Sequence, residues 1–194
     1  TAGSYMYIGP QGIVHGTTIT VMNAYRKLLR SRGNTASGVG LFVTAGLGGM
    51  SGAQPKAGNI AGVVTICAEV NEHAAVKRHS QGWVDELIYS IDGAIDSALH
   101  YQQKGEAHSI ALVGNIVDLW ERLAERKIKV ELGSDQTSLH NPWAGGYYPA
   151  GFSYEESNDM MANAPEKFKT EVQKTLRRHA AAVNTLTENG MYFF

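Results

Sequence analysis

Short apolar runs alternate along the chain with longer segments in which apolar residues recur every three or four positions. The runs are typical of strands buried on both faces, and the longer segments have the period of amphipathic helices. Strands alternating with helices of this length favour crossover connections and a parallel sheet. The sequence therefore predicts an α/β fold: a Rossmann-like, doubly wound parallel sheet with helices on both faces. The expected core strands are residues 39–45, 63–69, 108–113 and 128–132; the expected helices are residues 17–32, 49–61, 71–80, 90–104, 116–126 and 154–162, and a long one from Pro165 that stops at Gly190.

A glycine-dense turn follows the first predicted strand. Gly46 allows the chain to turn sharply, and Gly48 has no Cβ, so a pyrophosphate can approach the backbone. The third position of this GxGxxG-like pattern is Ser51, which is small but is not glycine. The next helix offers free N–H groups and the positive end of its dipole to phosphates. The pattern favours a nucleotide site over a glycine-rich turn without a ligand.

Glu69 closes the second apolar run, residues 63–68. An acid about 20 residues beyond the glycine turn is where the adenosine ribose hydroxyls are held in dinucleotide sites. Because a carboxylate repels a 2′-phosphate, Glu69 favours NAD over NADP.

Residues 133–151 interrupt the alternation with a long loop rich in side chains that donate and accept hydrogen bonds. The loop follows a predicted strand of a doubly wound sheet, which is where ligands bind in such folds. Long loops in compact domains are usually functional or disordered. The aromatic residues of this loop argue against disorder, so we expect it to form part of a ligand site.

Composition limits the possible functions. The 194 residues suit one domain, and a net charge of −1 from 17 basic and 18 acidic residues predicts neither nucleic acid nor an anionic membrane as partner. No apolar run has membrane-spanning length, and no signal peptide is visible. A single cysteine excludes a disulfide framework and a cysteine metal site, and it suits a reducing, cytoplasmic compartment. Both chain ends look like cuts in a larger protein.

The cysteine and histidine positions predict no metal site. Cys67 lies in mid-strand, where a buried and inert thiol is expected. The seven histidines have no paired ligand spacing. Those in predicted helices, His73, His79, His100 and His179, are expected to pack or to face solvent. His140 differs because it lies in the polar loop, where it either contacts cofactor or substrate or braces the loop.

Three stretches together resemble one family: residues 1–17, the glycine turn from Thr44 to Pro55, and the loop from Asp135 to Gly151 with its run Asp-Gln-Thr-Ser-Leu-His, followed by Gly-Tyr and Pro-Ala-Gly. The whole chain is similar, in order, to the central NAD-binding domain of the urocanase (urocanate hydratase) family of histidine breakdown. The resemblance implies a hydro-lyase with tightly held NAD as an electrophile, attacked at nicotinamide C4 by the imidazole of urocanate. Water then adds, imidazolonepropionate forms, and no net hydride is passed on. It also implies a homodimer of the full-length enzyme.

The resemblance also implies a set of cofactor contacts. Gly49, Met50 and Ser51 would line the pyrophosphate, and Glu69 would hold the adenosine ribose. Asn115 and residues 136–140 would surround the inner ribose and nicotinamide, with a further contact from Tyr147 or Tyr148. On position alone, Asn115 is equally a helix cap, and the tyrosine pair is equally packing beneath the loop. The complete expected set is Gly46, Gly48, Gly49, Met50, Ser51, Glu69, Asn115, Ile116, Gln136, Thr137, Ser138, Leu139, His140, Tyr147 and Tyr148.

The sequence departs from the family pattern in two places. Ser51 replaces the third glycine, and Ala74 stands where the family has a basic residue, with Lys77 and Arg78 one turn further. The family's active-site cysteine belongs to a flanking domain beyond this chain, so no catalytic residue is expected here and the fragment alone is expected to be inactive. Residues 1–38 and 165–194 are expected to connect to that domain. In the resemblance, residues 9–12 lie close to the active site; otherwise they form a plain turn.

Two other functions remain open on the sequence. The glycine turn and Glu69 alone also suit a conventional NAD-dependent dehydrogenase or a non-catalytic NAD-binding module. The loop from Asp135 to Gly151 favours the hydratase, because no common dehydrogenase motif requires it.

Overall fold

The fold is a parallel sheet with helices on both faces, seen in a computed structural model that describes residues 10–33, 38–135 and 141–194. The strands in these residues are β1 (Leu41–Ala45), β2 (Val64–Glu69), β3 (Glu86–Ile88), β4 (Ser109–Val113), β5 (Leu132–Gly133) and β6 (Tyr192–Phe193). The helices are α1 (Pro10–Ser31), α2 (Gln54–Ala61), α3 (Glu72–Ser80), α4 (Ile91–Lys104), α5 (Ile116–Glu125), α6 (Tyr154–Asn163) and α7 (Pro165–Glu188). The predicted fold class is confirmed.

Every strand pairing is parallel, and the strand order is β3-β4-β2-β1-β5-β6. From β1 the chain first builds the sheet on one side, through β2, β3 and β4. It then crosses to the other side of β1 and adds β5. The order therefore reverses beside β1, and in open α/β sheets ligands bind at such a point, outside the carboxyl ends of the strands.

Side chains of β1 alternate between two apolar cores. Leu41 and Val43 belong to the larger core, which includes residues of α4, α5 and α7. Phe42 points into a smaller core with Val21 and Leu28 of α1. Because both faces of β1 are covered, the strand reads as an unbroken apolar run rather than as an alternating one.

The polar caps explain where several helices begin. The side chains of Asn71, Ser90 and Asn115 accept hydrogen bonds from the first turns of α3, α4 and α5. Ser153 and Glu156 form a reciprocal capping box at the start of α6. The loops that end at the caps Asn71 and Asn115 contribute Val70, Gly114 and Asn115 itself to the site described below.

Three predicted boundaries were wrong. The first helix begins at Pro10 rather than at residue 17, because Gly12 and Gly16 lie inside α1 instead of preceding it. The predicted strand 128–132 is only Leu132–Gly133; Ile128 and Val130 are apolar because they pack into the large core before the chain joins the sheet. The predicted helix 49–61 is a short 3₁₀ turn, Ser51–Ala53, followed by α2.

Two edge strands were not predicted. β3 is three half-buried residues long, and β6 is a two-residue strand near the end of the chain. Both are shorter than the apolar runs from which a strand can be predicted in a sequence.

Candidate nucleotide-binding site

A cleft of about 330 Å³ lies at the carboxyl ends of β1, β2, β4 and β5. Its walls come from the ends of these strands and from the segment that precedes α6. The lining residues are Ala45, Gly46, Gly48, Ser51, Ala68, Glu69, Val70, Gly114, Asn115, Ile116, Asp135, Gly145, Gly146, Tyr147 and Tyr148. The cleft therefore occupies the place where a doubly wound sheet binds its ligand.

The glycine turn forms the floor of this cleft beside β1. Gly46 has φ 92°, a conformation that favours glycine, and its N–H donates to the carbonyl of Ala68 at 2.8 Å. The N–H of Gly48 donates to Ser51 Oγ at 3.1 Å. Within the described part of the chain, the N–H groups of Gly49, Met50 and Ser51 have no acceptor. The turn thus combines a close backbone approach with unpaired donors, which suits an anionic group.

Close packing of helix and strand, the usual role of the third motif glycine, falls on other residues here. A Cβ on Gly58 of α2 would collide with Thr65 of β2, and a Cβ on Gly52 would collide with Arg78. Ser51 has a different role: its Oγ accepts the hydrogen bond from the N–H of Gly48 within the turn. Serine at the third position is therefore compatible with the turn.

Glu69 ends β2 and holds the glycine turn from beneath. Its Oε2 accepts from the N–H of Leu47 at 2.6 Å, and its Oε1 accepts from the N–H of Asn71 at 2.9 Å. A carboxylate has about four acceptor positions, so two remain for a ligand in the cleft that Glu69 lines.

Arg78 of α3 is the basic residue that reaches the glycine turn. Its guanidinium donates to the carbonyls of Leu47 at 3.1 Å and Gly48 at 2.7 Å. Lys77 is exposed. Arg78 therefore fixes the carbonyl side of the turn and leaves its N–H groups for another partner.

Asn115 acts as a helix cap and as a brace for the opposite wall. Its Oδ1 accepts from the N–H of Val117 at 3.0 Å, and its Nδ2 donates to the carbonyl of Tyr148 at 3.0 Å. The neighbouring Ile116 lines the cleft as an apolar surface.

The two adjacent tyrosines both line the cleft but have different partners. Tyr147 is buried, and its hydroxyl lies 3.1 Å from His179 Nδ1. The hydroxyl of Tyr148 donates to Asn158 Oδ1 at 3.0 Å, and its ring stacks on Tyr154 at 5.2 Å. Burial, together with the hydrogen bond to Tyr154, raises the pKa of Tyr148 to about 12. Both hydroxyls remain protonated at neutral pH, because burial also raises the pKa of Tyr147.

The cleft brings together most of the residues expected from the sequence, but not all. Gly49 and Met50 are exposed in the turn and do not line it. Gln136, Thr137, Ser138, Leu139 and His140 lie outside the described residues. Sequence reasoning placed Asp135 at the start of the polar loop but gave it no individual contact, and it missed His179, which carried no signal beyond a helical position.

The described residues contain no nucleophile suited to covalent catalysis in this cleft. Cys67 is buried as predicted, and its Sγ–H donates to the carbonyl of Gly46 at 3.1 Å. Burial, reinforced by the charges of Glu69 and Asp135, raises the pKa of this thiol well above its usual range, so it is inert. No group of three or more His, Cys, Asp or Glu side chains in residues 10–33, 38–135 and 141–194 could hold a metal ion. No helix of the same ranges is both long and apolar enough to cross a membrane.

A family model for the urocanase Rossmann-like domain matches residues 9–194. The chain belongs to the urocanase family. The urocanase domain is 55% identical over its full length to a probable urocanate hydratase of Caenorhabditis elegans, and 51% and 49% identical to the urocanate hydratases of Mus musculus and Homo sapiens. It spans 28–29% of the length of these relatives.

Proposed function

We propose that this urocanase domain binds NAD within a longer urocanate hydratase, which converts urocanate to imidazolonepropionate in cytoplasmic histidine breakdown. The observation that carries the proposal is the cleft itself. A glycine turn with unpaired N–H groups and an acid at the end of the next strand meet at the point where the strand order reverses. Membership of the urocanase family supports the same proposal.

The described residues fit NAD. No atom of the described residues lies within 4 Å of a Cβ position at Gly49, so they leave space beside the unpaired N–H groups of the turn. These donors suit the pyrophosphate. Glu69 retains acceptor positions for the adenosine ribose hydroxyls and, by its charge, disfavours a 2′-phosphate.

Bound NAD would supply an electrophilic pyridinium ring. The domain's own residues bind and orient. Arg78 and Glu69 hold the turn rigid from opposite sides, and Asn115 ties the Tyr148 wall to α5. A rigid site matters because small misplacements of a reacting group are expensive in rate.

The remaining parts of the reaction are assigned to the rest of the enzyme. Among the described residues the cleft has no reactive cysteine, since Cys67 is buried beneath it. We therefore assign the catalytic cysteine implied by the family to a flanking domain, with residues 1–38 and 165–194 as connections, and a homodimer as the working assembly. In this domain α7 packs against α5, and β6 pairs with β5, so residues 165–194 serve both the fold and the proposed connection.

The test uses a full-length polypeptide that contains this domain. Mass spectrometry of the denatured protein is expected to detect NAD, and the protein is expected to consume urocanate without accumulating NADH. Accumulation of NADH with an alcohol or hydroxy acid would identify a dehydrogenase instead. Bound NAD with neither activity would identify a non-catalytic module.

A further inference from the structure

A second cavity, the α1 cavity, lies between the glycine turn and α1 and has a volume of about 370 Å³. Met50 of the turn and Gln54 at the start of α2 form one wall, and residues 12–21 of α1 contribute the opposite wall. Ser134 and Phe194, which come directly after β5 and β6, also line it. The α1 cavity shares no described lining residue with the cleft, and its size is within the range of small-molecule sites.

Gln54 brings a buried amide without a partner to the α1 cavity. The residue is only 6% exposed. Among the described residues, its side-chain amide neither donates nor accepts a hydrogen bond. Buried polar groups are almost always paired, because leaving one unpaired is unfavourable. The amide is therefore available to a ligand that enters the cavity.

Ser134 can supply a second polar contact. Its Oγ lies 2.9 Å from Oγ1 of Thr44, and both residues are buried. Only one of the two hydroxyl hydrogens can lie between these oxygens. When Thr44 donates, the hydrogen of Ser134 is left for a ligand, and Ser134 lines the cavity whereas Thr44 does not.

The lining of the α1 cavity suits an uncharged polar group on a flat ring. None of the described lining residues is charged, so an anion such as the carboxylate of urocanate has no cation to pair with there. The Gln54 amide can both donate and accept. The ring of Phe194, which is 37% exposed, adds an aromatic surface.

The strand order indicates which ring reaches this cavity. Glu69 ends β2 and Ser134 follows β5, and these strands flank β1 on opposite sides. A dinucleotide with its pyrophosphate on the glycine turn and its adenosine ribose at Glu69 therefore directs its other end towards β5. That end carries the nicotinamide ring, whose carboxamide has an NH₂ donor and a carbonyl acceptor. This step rests on the function proposed above.

We propose that Gln54 is a specificity-determining residue whose side-chain oxygen accepts a hydrogen bond from the carboxamide NH₂ of a nicotinamide ring in the α1 cavity. The hydroxyl of Ser134 donates to the carboxamide oxygen. Two contacts to one carboxamide fix the rotation of the ring about its bond to the ribose. They thereby decide which face of the ring meets the substrate, and orientation of this kind strongly affects rate.

The experiment compares NAD with acetylpyridine adenine dinucleotide, in which a methyl group replaces the NH₂ and the carbonyl remains. The full-length polypeptide is loaded from an equimolar excess of NAD, this analogue and ADP-ribose, and mass spectrometry of the denatured protein gives the bound ratios. Gln54→Leu and Gln54→Met are expected to lower the NAD:analogue ratio about fivefold, as for one lost hydrogen bond. Gln54→Glu keeps an acceptor oxygen and is expected to retain most of the preference.

Ser134→Ala has a different expected signature. Both dinucleotides keep the carbonyl, so their ratio should stay unchanged, while both should lose about fivefold against ADP-ribose, which lacks the ring. Gln102→Leu is the matched control for Gln54→Leu. Gln102 is a half-buried glutamine of α4 that donates to the carbonyl of Val39 at 3.0 Å, and it lines neither cavity. This variant is expected to lower Tm and leave every ratio unchanged.

The outcomes separate the two proposals. An unchanged NAD:analogue ratio in Gln54→Leu or Gln54→Met, with NAD still bound, would overturn the inference alone. An equal loss of NAD, the analogue and ADP-ribose would also overturn it, because Gln54 would then act through the glycine turn. An unchanged preference over ADP-ribose in Ser134→Ala would remove the Ser134 contact. A wild-type polypeptide that binds none of the three would overturn the proposed function and this inference with it.

Discussion

Single residues at the cleft serve the fold and the proposed ligand at once. Glu69 is the clearest case, because its carboxylate accepts two backbone N–H groups and also faces the cleft. Removing the side chain leaves the amides of Leu47 and Asn71 without their partner. Binding and stability must therefore be separated by the choice of substitution.

We expect Glu69→Ala to weaken NAD binding by about 1–3 kcal/mol, because a charged hydrogen-bond partner is lost, and to lower Tm as well. Glu69→Gln keeps an acceptor but removes the charge, so its main effect should be a smaller preference for NAD over NADP. Calorimetric titration with both cofactors measures this. Glu72→Gln, the same change on exposed α3, is the control. Equal binding of NADP by the wild type would show that Glu69 does not select the cofactor.

Asp85 provides a pH-dependent contribution at the opposite end of the sheet. Partial burial opposes ionisation of Asp85, but hydrogen bonds from the Ser109 hydroxyl, the Asn59 amide and the Ser109 N–H outweigh it and lower the pKa. A lowered pKa in the folded state stabilises the protein above the unfolded-state value, and this stability is lost as the pH falls through the folded value.

We therefore expect Asp85→Asn to lower the free energy of unfolding by about 1 kcal/mol at neutral pH, with the difference from wild type shrinking in acid. Denaturant titrations at several pH values measure it. Asp159→Asn, at an exposed position on α6, is the control. A difference that stays constant down to acidic pH would mean that the charge of Asp85 contributes nothing.

At the scale of elements, the contact between α2 and β2 decides how the helix approaches the glycine turn. Gly58 faces Thr65 so closely that a Cβ there collides with the threonine side chain. Thr65 is fully buried and β-branched, so it has little freedom to move away.

Gly58→Ala is expected to destabilise the domain by about 1–3 kcal/mol through overpacking. Gly16→Ala is the matched control, since a Cβ at Gly16 in α1 meets no atom of the described residues within 4 Å. The higher helix propensity of alanine should leave stability unchanged or raise it by about 1 kcal/mol. Thermal unfolding compares the two. If both variants gained stability, the close contact between α2 and β2 would have to be abandoned.

Sequence periodicity predicts elements well where packing and pattern agree. β1, β2, β4 and most helices were found from their apolar runs and polar caps. The strand expected at residues 128–132 was too long, because apolar side chains mark burial rather than strand pairing. β3 and β6 are held by pairing with a neighbouring strand. Strands this short have too few residues to show a hydrophobic pattern in the sequence.

At the scale of the whole molecule, the strand order assembles a site from residues distant in sequence. The glycine turn and Glu69 were recognisable because they form a local pattern. His179 was not, since its position near Asp135 depends on α7 returning across the sheet. Local motifs therefore predicted the side of the cleft formed by the glycine turn and Glu69 better than the contacts that α7 makes behind the β5 side.

We expect the isolated chain to be inactive on urocanate even when NAD is supplied, because the described cleft offers no reactive nucleophile. A spectrophotometric assay of urocanate consumption compares the chain with the full-length polypeptide. Similar rates in the two proteins would refute the division of labour between domains.

Cys67 gives the molecule an internal reporter of its own unfolding. It is the only cysteine in the sequence, and it lies fully buried in β2, at the middle of the sheet. A thiol reagent can reach it only when the central strands separate, so the labelling rate measures the free energy of that opening. Any ligand that binds the folded cleft should slow labelling in proportion to its occupancy. The native protein can thus report cofactor binding through a residue that never touches the cofactor.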